Sequence, residues 1–447
     1  MPQTYRVLVI LLVTAAIIGG CASKPRLLMP TPVHYYKPGG ADVFAADSDV
    51  RAGSSDVDLL YITDRAPETD PESTLPYGQE RSKSIAFGSA RVRIGRGLSW
   101  DVLEQQSQSP ERSDELVLSL GRVAELGRYP DEPYQVVRRA DDAIYRAPAV
   151  VRQHQSAERM LRDEIAARLE RSPTKEVMLY VHGFNETFAT AAYTAAELCH
   201  FMGREPVCAL FTWPASSSGN FLISYTSTTE SATFAENHLR KVIRVLATTP
   251  GVERVHLLAH SRGTALMASA VRSLLREAVA AGKEPVEILK IGHVVLFSPD
   301  IDTEVAGQSL TAEVSDPGLI SNWPLERLPR GVNGRLTIYS SPKDRALNIS
   351  RILFRSNSRL GNLRTEDVPV EVQRYYETFG RMDLILYQGE RTDIFGHSYF
   401  TSNPQVSSDV IQLLRYGREL GEPGRELERL GPIMWRFPDA KRQAANR

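Results

Sequence analysis

The chain has 447 residues, 42% of them hydrophobic and 24% charged, a globular composition that excludes disorder or low-complexity fibre for its bulk. Lys plus Arg number 53 and Asp plus Glu 54, a formal charge of −1, so composition carries no polyanion-binding signature and nucleic acid is not an expected partner. The three cysteines cannot build a disulfide framework, no pair of them has metal-ligand spacing, and the nine histidines include no HExxH run. Neither metal nor cofactor is expected.

Taken in chain order, the first segment is a label. Arg6 precedes an apolar run from Val7 to Ile18, followed by Gly19, Gly20 and Cys21. The run is shorter than the roughly 20 apolar residues that span a bilayer. Charge, short apolar stretch and small residues are the layout of a secretory signal. With Cys21 straight after two glycines, residues 1–20 resemble the signal peptide of a bacterial lipoprotein, with Ile18 where Leu is commoner. That resemblance implies cleavage before Cys21 and a diacylglycerol on its sulfur. The other reading is an uncleaved anchor helix. Residues 21–55 carry Pro25, Pro30, Pro32, Pro38, Gly39 and Gly40, which predicts a lipidated cysteine and a flexible tether. The expected location is the bacterial cell envelope, lipid-anchored, and Ala22 points by the same resemblance to the outer membrane of a Gram-negative host, facing the periplasm. Cys199 and Cys208 lie in apolar patterns, which favours buried free thiols, a disulfide between them staying open.

The body, residues 56–420, alternates strand-like and helical patterns. DLLYIT (58–63) and IAFGSARVRI (85–94) have no helix between them and predict an antiparallel N-terminal edge. Residues 96–173 are less regular, with an amphipathic helix expected over Ala157–Leu169, and read as a possible insertion or cap. Apolar runs at 177–185, 207–213, 255–261, 288–297, 336–341 and 383–388 are separated by helical stretches at 186–202, 230–246 and 264–281, with a last helix over 406–420. Near-continuous apolar strands separated by helices predict a mostly parallel, doubly wound sheet covered on both faces. After Ser261, Leu266, Ala270, Leu274 and Ala278 form one row at helical spacing, and Met267, Val271, Leu275 and Val279 a second. The Ser/Thr/Gly-rich stretch 213–229 reads either as a lid or acyl-binding wall or as a surface loop. The tail 421–447 is expected to drape over the surface.

The chemistry gathers where strands turn into helices. Ala259-His260-Ser261-Arg262-Gly263 stands at such a turn. Small residues either side of the serine permit a sharp elbow that lifts its hydroxyl above the sheet, at the head of a helix whose dipole favours negative charge. The backbone N–H of Arg262 would then face an oxyanion. A second donor is expected after an earlier strand, where His182-Gly183-Phe184-Asn185 ends VMLYV, and the Phe184 N–H is the candidate, with Asn185 as a helix cap or side-chain donor. A serine needs a base. Of the histidines, His397 in Phe395-Gly396-His397-Ser398 falls after the last strand and before the last helix, and follows the chain order Ser, acid, His. For the acid, Asp344 after LTIYSS is preferred, with Asp300 after HVVLF as the alternative; either could instead cap a helix.

VHGFN (181–185), FTWP (211–214), AHSRG (259–263), SPDID (298–302), YSSPKDRAL (339–347) and FGHSYF (395–400), with YITDRAPE (61–68), YGQERS (77–82) and FGSARVRIG (87–95), resemble an uncharacterised bacterial α/β-hydrolase family whose members are often labelled esterase/lipase-superfamily enzymes. The resemblance covers residues 57–420. It implies an α/β-hydrolase fold with Ser261, Asp344 and His397 as a triad, and no settled substrate. Arg262 departs from the Met usual after the nucleophile, and Thr228 stands where an acid is usual three residues after Tyr225. The function expected is a membrane-anchored serine hydrolase, a carboxylesterase or lipase working on an acyl ester or lipid. The alternative is a non-catalytic envelope lipoprotein that binds lipid, peptidoglycan or a protein partner.

Overall fold

A computed structural model of the chain describes residues 25–44, 54–215, 221–315, 323–324 and 326–438. The signal peptide and Cys21 lie outside the described residues, as do 22–24 and 45–53 of the expected tether.

Eleven strands form one sheet in the order β12-β13-β11-β10-β9-β8-β6-β7-β1-β2-β3. They are β1 (Asp56–Pro67), β2 (Tyr77–Ile94), β3 (Leu118–Arg128), β6 (Glu176–Val181), β7 (Val207–Thr212), β8 (Arg254–His260), β9 (Ile291–Phe297), β10 (Leu336–Ser340), β11 (Met382–Leu386), β12 (Glu428–Arg429) and β13 (Met434–Arg436). β4 (Val136–Arg138) and β5 (Ile144–Arg146) make a separate hairpin. The stretch from β13 to β1 is parallel throughout, while β2 and β3 add the antiparallel N-terminal edge.

The central strands read as continuous apolar runs because both faces are covered. In β6, Val177, Leu179 and Val181 enter one core, while Met178 and Tyr180 enter the other. In β8, Val255, Leu257 and Ala259 belong to the first core and Leu258 to the second. This is the two-residue period of a strand buried on both sides. The helix Arg262–Ala280 buries Leu266, Ala270, Leu274 and Ala278 as expected, with Met267 and Val279 from the second row. β6 and β8 are neighbours, but β6 leads on to β7 on one side and β8 to β9 on the other, so their connections run in opposite directions. Such a switch point opens a crevice at the carboxyl ends of the strands.

Four expectations need correction. Residues 96–173 are no separate cap, because β3 pairs with β2 in the main sheet and the helix Pro148–Arg171 packs Ala157, Leu161, Ile165 and Leu169 into the first core. Residues 25–44 do not hang free. Leu28, Met29, Val43 and Phe44 are buried, and Glu197 accepts from the Met29 amide and from Arg26. The tail does more than drape: β13 pairs with β11, and buried Arg425 donates to Asp409 at 2.8 Å. Cys199 and Cys208 form a disulfide with Cα atoms 5.9 Å apart, rather than remaining free thiols. The apolar pattern around each reported burial but not the pairing of neighbouring elements that brings them together.

Among the described residues, no helix is long and apolar enough to cross a membrane.

Candidate active site

The last residue before the helix Arg262–Ala280 is Ser261, at φ 53° and ψ −125°. A non-glycine residue in a left-handed conformation costs on the order of 1–3 kcal/mol and persists only when its surroundings hold it. They do. The Ser261 amide donates to the Phe297 carbonyl at 2.9 Å, and its own carbonyl accepts from the Thr264 amide at 3.1 Å and the Thr264 hydroxyl at 2.6 Å. The loop after β6 packs directly on this elbow. A Cβ at Gly183 would lie 2.7 Å from the Ser261 Cβ, and one at Gly263 would collide with the His182 carbonyl oxygen. Glycine is therefore required at both positions by close approach.

His397 stands on the loop between β11 and the helix Tyr399–Ser402. Its Nδ1 is 2.6 Å from Oδ2 of Asp344, which is wholly buried. The other Asp344 oxygen accepts from the Leu347 amide at 3.1 Å and caps the helix Arg345–Leu353. Pairing and capping, weighed as alternatives from sequence, use different oxygens of one carboxylate. Burial disfavours the imidazolium of His397, but the charge and hydrogen bond of Asp344 outweigh it and hold the pKa above the ordinary value.

Ser261 and His397 line the same cavity, of about 280 Å³, together with Phe184, Tyr225, Leu347 and Phe395. A larger cavity of about 630 Å³, beside Tyr134, His154, Lys241 and Arg244, shares no lining residue with it.

Asp300 lines the cavity too, but its carboxylate is engaged elsewhere. Ser350 donates to it at 2.5 Å and the Tyr225 hydroxyl also donates to it. The guanidinium nitrogens Nε of Arg262 and Arg359 lie 3.7 Å and 3.5 Å away. Of the two candidate acids, Asp344 is thus the one hydrogen-bonded to the imidazole. Arg262, the departure from the family's Met, turns its side chain out of the elbow and between the rings of Tyr225 and Phe354, 4.9 and 4.8 Å from their centroids. Its backbone N–H is at the head of a helix, where no intrahelical acceptor exists.

The loop His182–Glu186 is fixed from below. Trp213 donates from its amide to His182 Nε2 and from its indole to the His182 carbonyl, at 3.1 and 3.0 Å. Fully buried Arg65 donates to the Glu186 carbonyl at 2.7 Å. Asn185 does not cap the following helix; it takes φ 61°, and Thr187 with Thr190 forms the capping box. The expected lid or loop over 213–229 is helical from Phe221 onward, within a helix that runs to Thr248 and sets Tyr225 in the cavity wall. Thr228, in place of the family's acid, donates to the Ser224 carbonyl at 2.7 Å.

Sequence reasoning missed the residues that hold His397 in place. Asp393 accepts from the amides of Phe395, Gly396, His397 and Ser398, at 2.8, 2.6, 3.1 and 2.9 Å. The His397 carbonyl accepts from the Ser298 hydroxyl at 3.1 Å and faces His260 Nε2 at 3.3 Å. The spacing of Asp393 ahead of a Gly-His turn was the readable signal, since aspartate commonly bonds the backbone just after it.

A parallel sheet with a switch point, a strained serine between strand and helix, and an Asp–His pair beside it define the α/β-hydrolase class of protein. A family model described as "Alpha/beta hydrolase of unknown function (DUF900)" matches residues 157–416, and the chain belongs to that family. Among curated proteins no match is found. Among solved structures, phospholipase PlaB from Legionella pneumophila is similar over 51% of this chain at 12% identity and a TM-score of 0.21. The match covers 43% of that protein's chain, less than half its length.

Proposed function

We propose that this hydrolase is a lipid-anchored serine esterase of the bacterial envelope. Ser261 Oγ attacks the ester carbonyl while His397 Nε2 takes its proton, and Asp344 orients the ring and stabilises the imidazolium. The amides of Phe184 and Arg262 hold the oxyanion. His397 returns the proton to the leaving alcohol, and the acyl group stays on Ser261. Water, deprotonated by His397, then releases a carboxylic acid and restores the serine. The observation that carries this reading is the 2.6 Å bond between His397 and Asp344 beside a serine held at φ 53° in one shared cavity.

For the acyl class of substrate, the support is the apolar half of the cavity wall, with Phe184, Leu347, Ile349 and Phe395. Support for an oxidising compartment comes from the Cys199–Cys208 disulfide. Attachment through Cys21 rests on the signal-like segment alone.

The test is turnover of ester, thioester and amide series of graded acyl length by wild type and Ser261→Ala. Ester turnover that vanishes in the variant supports the proposal. Equal turnover by both proteins refutes it, and a fold that turns over none of the series would stand as the non-catalytic envelope module.

A further inference from the structure

The cavity that holds Ser261 opens through an apolar collar built from two segments. On the helix Arg345–Leu353, Leu347 and Ser350 face inward, while Ile349 and Ile352, three residues apart on one face, are 40% and 72% exposed. On the loop before His397, Ile394 and Phe395 are 82% and 48% exposed. The segments are tied together by the Arg345 amide, which donates to the Phe395 carbonyl at 2.9 Å. Ile349 and Phe395 are exposed and also line the cavity, so each segment carries apolar surface from the exterior into the cavity that holds Ser261. Single exposed apolar residues need no explanation, but a cluster of them around a cavity mouth marks an interaction site.

Charge on the same segments indicates what covers it. Lys343, Arg345, Arg351, Arg355 and Arg391 are all exposed there. The carboxylates on these segments are Glu390, Asp393, which is occupied by four backbone amides, and Asp344, which is buried against His397; Glu186 lines the cavity from another loop. Apolar tips among cations with long aliphatic stems match a surface that is greasy within and anionic at its face.

We propose that this collar docks on an anionic phospholipid bilayer and that the ester enters the Ser261 cavity directly from it. The proposal rests on the hydrolase reading above for its purpose, but not for its test. The hairpin of β4 and β5 also exposes Val136 and Ile144, at 57% and 62%. Arg139 and Arg146 are exposed there too, but Asp141 and Asp142 lie beside them, Arg138 is paired with Asp142, and no residue of the hairpin lines the Ser261 cavity. It serves as the control.

Full-length protein carrying Ser261→Ala is combined in turn with Ile352→Trp, Ile394→Trp and Ile144→Trp. Each is mixed with vesicles of brominated phosphatidylcholine, with or without phosphatidylglycerol, and quenching of the added tryptophan is read against the Ser261→Ala parent. The expected result is quenching at positions 352 and 394 that rises roughly twofold with the anionic lipid, and none at 144. Adding Arg351→Glu and Arg391→Glu should abolish that rise without unfolding the chain, since both side chains are exposed. Quenching at 144 and not at the collar, or no dependence on phosphatidylglycerol, overturns the proposal. Because Ser261 is absent throughout, a failed hydrolase reading leaves this result untouched, and a failed docking result leaves ester turnover untouched.

Discussion

Asp344 divides its carboxylate between His397 and the helix that follows it, one oxygen 2.6 Å from the imidazole and the other 3.1 Å from the Leu347 amide. The ring is therefore oriented by a group that is itself pinned to regular structure, the geometry that the proposed role of His397 as general base requires. Asp344→Asn should lower kcat on the order of 10³–10⁴-fold, because the amide no longer fixes the required tautomer. Asp300→Asn should behave differently. It leaves Arg262 and Arg359 beside a neutral group in a buried site, at a cost of about 3–5 kcal/mol of stability, with kcat changed by less than roughly tenfold in the protein that remains folded. Steady-state kinetics and thermal melts of the two variants separate these outcomes, and a reversed ranking would move the acid to Asp300.

The pH dependence follows from the same pair. His397 must be neutral to accept a proton, and its pKa is held above the ordinary histidine value by Asp344 against the opposing effect of burial. The acidic limb of kcat/KM should therefore have its midpoint above about 6.5, activity rising as pH increases through it. His260 and His182 are pushed well below that value, by burial first and by His397 and Arg65 respectively, so neither contributes to the limb. For stability the sign is opposite. A raised folded-state pKa contributes stability that is full below the unfolded value and is lost as pH rises through the folded one. In Asp344→Asn the kinetic limb should move to lower pH; a limb that stays put would show that another group titrates.

The loop carrying His397 hangs on Asp393, whose carboxylate gathers four backbone amides. Asp393→Ala should reduce kcat about tenfold or more, since the base is displaced, with a smaller change in KM, because only Phe395, His397 and Ser398 of the cavity lining ride on the same loop. Asp393→Asn, which retains one acceptor oxygen, should recover part of the loss. Loss in KM alone would assign Asp393 to the cavity wall.

Much of this arrangement was legible in the sequence, and the reasons lie in particular residues. β6 and β8 are continuous apolar runs because two cores claim their alternate faces, and the serine elbow sits at an unambiguous change of period. The helix from Phe221 was hidden by Ser224, Thr226, Ser227, Thr228 and Thr229, residue types that favour loops and caps over helix interiors. β13, three residues long, is too short to show a period. Residues 25–44 read as a tether because their prolines outweigh a few scattered apolar side chains, yet Leu28, Met29, Val43 and Phe44 all find the core. The supporting groups act through isolated polar contacts, Asp393 on the turn just after it and Ser298 and Arg65 on residues distant in sequence, and such contacts leave no periodic trace.

The Cys199–Cys208 disulfide closes a short loop between the end of the helix Phe188–Phe201 and β7. Reduction or Cys208→Ala should cost about 2–4 kcal/mol by freeing the unfolded chain. A melt in reducing buffer should fall by a few degrees, and an unchanged midpoint would mean that the two sulfurs are not joined in solution.

The central claim is that Ser261 is a nucleophile activated by His397, and active-site labelling reads it directly. A fluorophosphonate should form one covalent adduct per chain, mapped by peptide mass spectrometry to Ser261, absent in Ser261→Ala and strongly slowed in His397→Ala. An adduct on another residue, or no labelling of the folded wild-type protein, would contradict the account.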